Sequence, residues 1–283
     1  MQSENAGVTQ SIDGVPFRLA AAFDFGFLKR YGQVFKVFDD QDSGNICFGT
    51  QKDGQRLFVK FAGAPTLRGA DSPAAAVERL KATLPVYRDL QHRSLIQLVE
   101  AGEIGGGFAM AFRWARGDCM GRMYPEAHAR FMALPLQDRQ RVFLDVLDFL
   151  GCVNAQGYLA VDFYDGSILY DFESGRTTVC DVDFFRRMPC VNDMGRMWGS
   201  AKFMSPEEYR LGAVLDGRTN VYTAGAMAFA LFGGFVRGRE AWQLDEKRFQ
   251  AASRAVSDDP ASRQASIGEL REEWERGAAE NHI

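Results

Sequence analysis

The chain has 283 residues, of which 46% are apolar and 25% charged, with 33 basic against 37 acidic side chains and a net charge of −4. This is globular composition, which excludes a disordered chain, a collagen and a coiled-coil rod, and the length suits two domains or one domain with two lobes. Without a basic excess to grip a phosphate backbone broadly, nucleic acid is not expected as a partner.

Residues 1–13 read as a polar tail, and 1–30 as tail and lead-in. The segment MQSENAGVTQSIDG is polar and acidic, unlike a signal peptide. Between Tyr31 and Ala64, QVFKVF alternates in the manner of a strand. NICFGTQ and QRLFVKFA follow as two strands joined by the turn signal K-D-G. Ala74–Leu90 has helical composition, with Pro85 placed to kink or divide the helix. LIQLVEAGEI and GFAMAFRWA are again strand-like, on either side of the glycines from Gly105 to Gly107.

Beyond Gly117 the character changes. Arg139–Gln156 predicts an amphipathic helix with Val142, Phe143, Val146, Phe149 and Leu150 at its apolar positions. YLAVDF, SILYDF and TTVCDVDF predict short strands around turns. Thr219–Gly233 is strongly apolar but too short to cross a bilayer, and reads as a buried helix. Trp242–Ser257 and Ser266–Arg276 close the chain as helices. A mainly β region over 31–115 thus precedes a mainly helical region over 116–283, with the boundary at Trp114–Gly117. Five cysteines without a C-x-x-C pair read as reduced thiols of a cytoplasmic protein. His92, His128 and His282 lack metal-ligand spacing. No membrane partner is expected, and the oligomeric state is not readable.

The chemistry concentrates between Gly157 and Asp183, in GYLAVDFYDGSILYDFESGRTTVCDVD, which holds Asp162, Asp165, Asp181 and Asp183. Turns favour Asp for local reasons of their own. Asp162 and Asp181, however, each follow a short apolar run. Carboxylates clustered at strand ends repel one another unless a divalent cation or a proton sits between them.

Several spaced features point the same way. Lys60 stands in LFVKFA. Asp162 in Ala160-Val161-Asp162 is followed five residues later by Ser167, and then by Asp181-Val182-Asp183. Downstream come Ser205, Pro206 and Glu207 in GSAKFMSPEEY, Asn220 and Gly225 in TNVYTAGAMAF, and Arg263. In order and spacing, over roughly residues 31–275, the set resembles the eukaryotic-like (Hanks-type) serine/threonine protein kinases. The resemblance implies an α+β, bilobal protein-kinase-like fold, with a small β-rich N-lobe, a larger helical C-lobe, and ATP and Mg²⁺ in the cleft.

It also implies roles. Lys60 would hold the α and β phosphates. Asp162 would orient, or take the proton from, the acceptor hydroxyl. Asp181 would ligate Mg²⁺, with Ser167 and Asp183 as further metal ligands. Phe112 takes the gatekeeper place, with backbone groups of Arg113 and Ala115 against adenine. Gly44 is what remains of a glycine-rich loop in DSGNICFG, where Gly49 reads as a strand residue. Glu78 is the candidate helix acid for Lys60, although the counted position falls near Thr83. The chain departs from the family at Ala160 and Val161, which replace His and Arg, and at Tyr164, which replaces Lys. Ser167 replaces Asn, and Asp183 replaces Gly. Three functions follow: phosphoryl transfer to a Ser/Thr hydroxyl of a protein substrate, a pseudokinase binding module, or a small-molecule kinase of the aminoglycoside phosphotransferase type.

Overall fold

Alternating side chains build a five-stranded antiparallel sheet whose strands lie side by side in the order Gln33–Phe38, Asn45–Lys52, Gln55–Ala62, Gly107–Arg113, Leu98–Ile104. A computed structural model describes residues 7–41, 43–69 and 72–279. Ahead of the sheet lie β1 (Val8–Ile12) and β2 (Val15–Leu19). The sheet comprises β3 (Gln33–Phe38), β4 (Asn45–Lys52), β5 (Gln55–Ala62), β6 (Leu98–Ile104) and β7 (Gly107–Arg113). The turns behave as their residues dictate: Asp53 and Gly54 between β4 and β5, and Gly105 and Gly106 between β6 and β7, all have positive φ. The register shifts between Val34 and Lys36 on β3 and between Leu98 and Glu100 on β6, so both edge strands are bulged.

The two faces of this sheet differ. Ile46, Phe48, Val59, Phe61, Ala109 and Ala111 line one, which is fully buried. It is covered from the N-terminal side by Phe17, Phe23, Phe25 and Phe27, with Phe25 5.1 Å from Phe48 and 4.9 Å from Phe23, ring centre to ring centre. This corrects the reading of residues 8–12 as tail. VTQSI pairs with VPFRL across Asp13 and Gly14, both at positive φ. The Asp13 carboxylate then accepts the Val34 N–H at 2.7 Å, tying the hairpin to β3. Residues 1–6 lie outside the described part.

The opposite face carries Cys47, Lys60 and Met110 side by side in register. Helix α1 (Pro73–Asp89) packs there through Ala76, Leu80, Thr83, Val86 and Tyr87. Pro85 does not divide it. Tyr87 meets Phe112 at 4.9 Å, and Thr83 Oγ1 lies 3.4 Å from Met110 Sδ.

The later part of the chain is mainly helical: α2 (Pro125–Met132), α3 (Leu136–Ala155), α4 (Gly217–Phe232), α5 (Glu246–Ala255) and α6 (Ile267–Ala279). Between them run short strands, β8 (Asp118–Cys119), β9 (Tyr158–Leu159), β10 (Ile168–Asp171), β11 (Arg176–Val179), β12 (Arg186–Arg187), β13 (Cys190–Val191) and β14 (Val214–Leu215). Helix α4 is buried at every position from Thr219 to Phe232, as its composition predicts. Its Phe232 joins Phe143, Trp242 and Trp274 in one aromatic cluster. The architecture is therefore mixed α+β, a sheet region followed by a helical region. The chain divides into two compact units. One takes in the described residues up to Arg88 with Ile96–Ala115; the other takes in Asp89–Leu95 and the chain from Arg116 onward. None of the five cysteines forms a disulfide. No described helix is long and apolar enough to cross a membrane.

The Phe25 ring touches five other aromatic rings. Phe25→Ala is therefore expected to cost about 3–5 kcal/mol. Urea denaturation measures this, and a loss below about 1 kcal/mol would mean that the N-terminal segment does not complete the core.

Candidate functional site

In the first unit, Lys60 sits on the central strand β5 and is 9% exposed. A buried ammonium is stable only with counter-charge or hydrogen bonds. The expected partner Glu78 does not supply it. On α1 the buried positions 76, 80, 83 and 87 follow the helical period, and Glu78 falls on the other side. Its side chain is 76% exposed and bonds Lys81 at 3.4 Å. Thr83 takes the inward place instead, over Met110, the cross-strand neighbour of Lys60.

Gly44 has φ +76°, open to glycine and strained for other residues. The turn it ends rests on α1: Arg79 donates to the Ser43 carbonyl at 3.0 Å, and a Cβ on Gly44 would meet Ala76 at 3.2 Å. Asp42 lies outside the described residues. Gly49 is a strand residue, covered by Phe35 and Trp114, which stand 5.0 Å apart. Phe112 is buried against Tyr87. The Arg113 N–H donates to Gln97 O at 2.8 Å, and the Trp114 N–H to Arg56 O at 3.0 Å. Arg113 therefore offers a ligand its carbonyl but not its N–H, and Ala115 follows as the half-buried last residue of the unit.

In the second unit the Asp162 turn is pinned from below. Asn220 on α4 is fully buried. Its carbonyl oxygen accepts the Ala160 N–H at 2.8 Å, and its amide donates to Tyr158 O at 2.9 Å and to Asn154 Oδ1 at 2.7 Å. Ala160 and Val161 are themselves buried. Asp162 then takes φ +59°, half-buried, and Asp181 takes φ +58°, exposed. Asp tolerates this left-handed region better than most residues, and such strain concentrates at functional sites. The two turns are laced together by the Cys180 N–H, which donates to Ser167 O at 2.9 Å.

Tyr164 lies within electrostatic reach of both carboxylates. Its hydroxyl is pushed up first by burial, then by the charges of Asp162 and Asp181. The Tyr164 ring folds over Gly166, where any Cβ would collide with it. Neither role was visible in the sequence. Ser167 is buried, and its Oγ accepts the Tyr164 N–H at 3.4 Å in the turn Asp165–Ser167. Asp183 is half-buried, two residues beyond Asp181. Asp165 is buried within the turn; burial raises its carboxyl pKa against the opposing pull of His128 and the Gly166 and Arg122 N–H groups. Among the described residues no three His, Cys, Asp or Glu side chains gather as a metal cage.

Downstream, Glu207 and Arg263 form a buried bidentate pair at 2.6 and 2.8 Å. Thr219 Oγ1 adds a bond to Glu207 at 2.9 Å. Burial raises the Glu207 pKa, but Arg263 outweighs it and holds the carboxyl below its usual range. Ser205 caps the turn Pro206–Tyr209 reciprocally with Glu208, donating from its N–H at 2.7 Å and its Oγ at 2.9 Å. Gly225 on α4 lies against Ala255, which a Cβ would reach at 2.6 Å. A scan against known protein families finds no match, and no curated protein is significantly similar to the chain.

Burial lifts Glu208 to about 7, against the two Ser205 donors. Native Glu208 thus keeps its proton to about pH 7, whereas the unfolded residue releases it near 4.5. The native state binds more protons across that window, so this group makes stability fall as pH rises through it, by about 3 kcal/mol. Glu208→Gln keeps an oxygen acceptor for Ser205 and is expected to flatten the slope. Denaturation midpoints should match near pH 4.5 and favour the variant at pH 8.

Proposed function

We propose that the chain transfers the γ-phosphoryl group of ATP, with Mg²⁺, to a Ser or Thr hydroxyl of a protein substrate. The observation that carries this reading is the pair of carboxylates Asp162 and Asp181, each displayed from a left-handed turn at a strand end, with the two turns joined by the hydrogen bond from the Cys180 N–H to Ser167 O. Phosphoryl transfer asks for positioned charge more than for covalent help. Mg²⁺ commonly keeps its waters and takes one or two carboxylates plus phosphate oxygens.

In this reading Asp181 holds the metal, with Asp183 beside it. Bound metal would neutralise the charge that develops on the transferred group. Lys60, buried on β5, serves the α and β phosphates. Asp162 orients the acceptor hydroxyl and takes its proton. The Arg113 carbonyl is left to accept from the adenine amine, behind buried Phe112. Asn220 acts as a positioning residue, since it fixes the backbone that delivers Asp162.

A second reading, a nucleotide-binding module without turnover, is favoured by Ser167. Its hydroxyl is committed to the turn and 1% exposed, so it serves a metal poorly. Intact-mass measurement of phosphate incorporation, with ATP consumption, separates the two. The wild-type chain should turn over. Asp162→Asn should lose about 10²–10⁴-fold, and Lys60→Met should lose transfer as well. Transfer that survives both substitutions would refute these assignments. ATP affinity without any transfer would establish the second reading.

A further inference from the structure

Most arginines of the second unit are neutralised, for example Arg186 by Asp193, Arg239 by Glu246 and Arg263 by Glu207. Several exposed cations are not, among them Arg176, Arg196, Arg210, Arg122, Lys202 and Arg237. Arg122, Lys202 and Arg237 make no ion pair at contact distance with any described carboxylate. Two of them meet at one aromatic ring, and the third is tied to the same segment. Lys202 Nζ lies 4.5 Å and Arg122 Cζ 5.0 Å from the centre of the Phe235 ring. Arg237 donates to Tyr222 Oη at 2.8 Å and to the Lys202 carbonyl at 3.4 Å, which ties its guanidinium to the same segment. His128 stacks on Phe235 at 6.3 Å, its Nδ1 2.9 Å from Met120 O.

Holding this cluster together has a cost. Phe235 has φ +69°, a strained conformation for a bulky aromatic residue. Like charges drawn to one ring repel each other. In a chain of net charge −4, a local excess of positive charge beside a strained aromatic runs against the overall balance. An anion placed among the cations removes the repulsion. Beneath them Asp165 is 5% exposed, and its Oδ2 has no hydrogen-bond partner. Asp165 accepts the Gly166 and Arg122 N–H groups and attracts the Arg122 cation, so the turn that holds Arg122 is fixed from the buried side.

The cluster is also coupled to the Asp162 turn. Tyr164 meets Phe203 at 6.3 Å, and Phe203 meets Phe235 edge-on at 5.9 Å. Two ring contacts therefore separate the cations from the loop that carries Asp162. The cations are exposed, and Met123 and Tyr124 beside Arg122 are exposed too, at 59% and 53%. An extended chain fits such an open surface better than a small enclosed ligand does.

We infer that Arg122 and Lys202 at Phe235, with Arg237 tied beside them, bind an acidic peptide segment, the carboxylate-bearing flank of the hydroxyl acceptor. This rests on the proposed phosphoryl transfer for the word acceptor, but peptide binding is measurable without it. The test is fluorescence anisotropy with labelled peptides of one length, a Ser flanked by Asp and Glu against a Ser flanked by Lys and Arg, without nucleotide. The acidic peptide should bind the wild-type chain at least about tenfold more tightly, and raised salt should weaken it. Arg122→Gln with Lys202→Gln should abolish that preference while the melting temperature holds, since both side chains are exposed. Arg122→Glu with Lys202→Glu should reverse it toward the basic peptide.

Equal binding of both peptides, an unchanged preference in the Gln pair, or competition by inorganic phosphate as tight as by the acidic peptide would each overturn the inference. Acidic-peptide binding without phosphate transfer would uphold it and count against the proposed transfer alone.

Discussion

The second unit depends on one buried amide. Asn220 sits on a helix with no exposed position from Thr219 to Phe232, and its carboxamide is spent on the chain ahead of Asp162. A polar group so deeply buried is tolerated only when its bonds are made, and once made they admit a single arrangement. The first turns of the same helix also hold the Glu207–Arg263 pair, through Thr219 Oγ1 and the Arg218 carbonyl. One apolar helix is thus the common reference for the Asp162 turn and for the segment around Ser205–Tyr209. The left-handed backbone at Asp162 can be sustained because its approach is fixed from two directions.

The first unit solves a different problem. Its central strand carries a lysine that must be withdrawn from water without destabilising the sheet. The alternation of β5 sends Val59 and Phe61 to one face and Lys60 to the other. The face with Val59 and Phe61 is sealed by an aromatic cluster contributed largely by the chain before β3. The abundance of phenylalanine in the composition is explained in part by this seal. Edge-to-face and tilted ring pairs add to the area they bury.

Periodicity made much of this legible. QVFKVF, NICFGTQ and QRLFVKFA alternate over enough residues to specify strands, and TNVYTAGAMAFALFG is too apolar to be anything but buried. VTQSI carried no comparable signal, since only Val8 and Ile12 are strongly apolar and its partner strand contains Pro16. Helix α2, with eight residues, is too short to register a period. Glu78 was chosen for its charge, whereas the helical phase of Ala76, Leu80, Thr83 and Tyr87 decides which side chains face the sheet. The acids at Asp162 and Asp181 stood out by type and spacing. Their shared left-handed conformation and the bond from the Cys180 N–H to Ser167 O that joins their turns arise from tertiary contacts that no local pattern encodes.

The bulges of β3 and β6 have a consequence for the chain among many copies of itself. A sheet ends in two rows of unsatisfied backbone groups, which are templates for another strand. Here both rows are interrupted by a shifted register, and charged residues, Lys36 on one edge and Glu100 and Glu103 on the other, stand along them. A regular, uncharged strand cannot align along either border without losing hydrogen bonds or burying a charge. The apolar sheet is thereby kept finite, and crowded molecules are denied the route by which exposed strands polymerise into fibres.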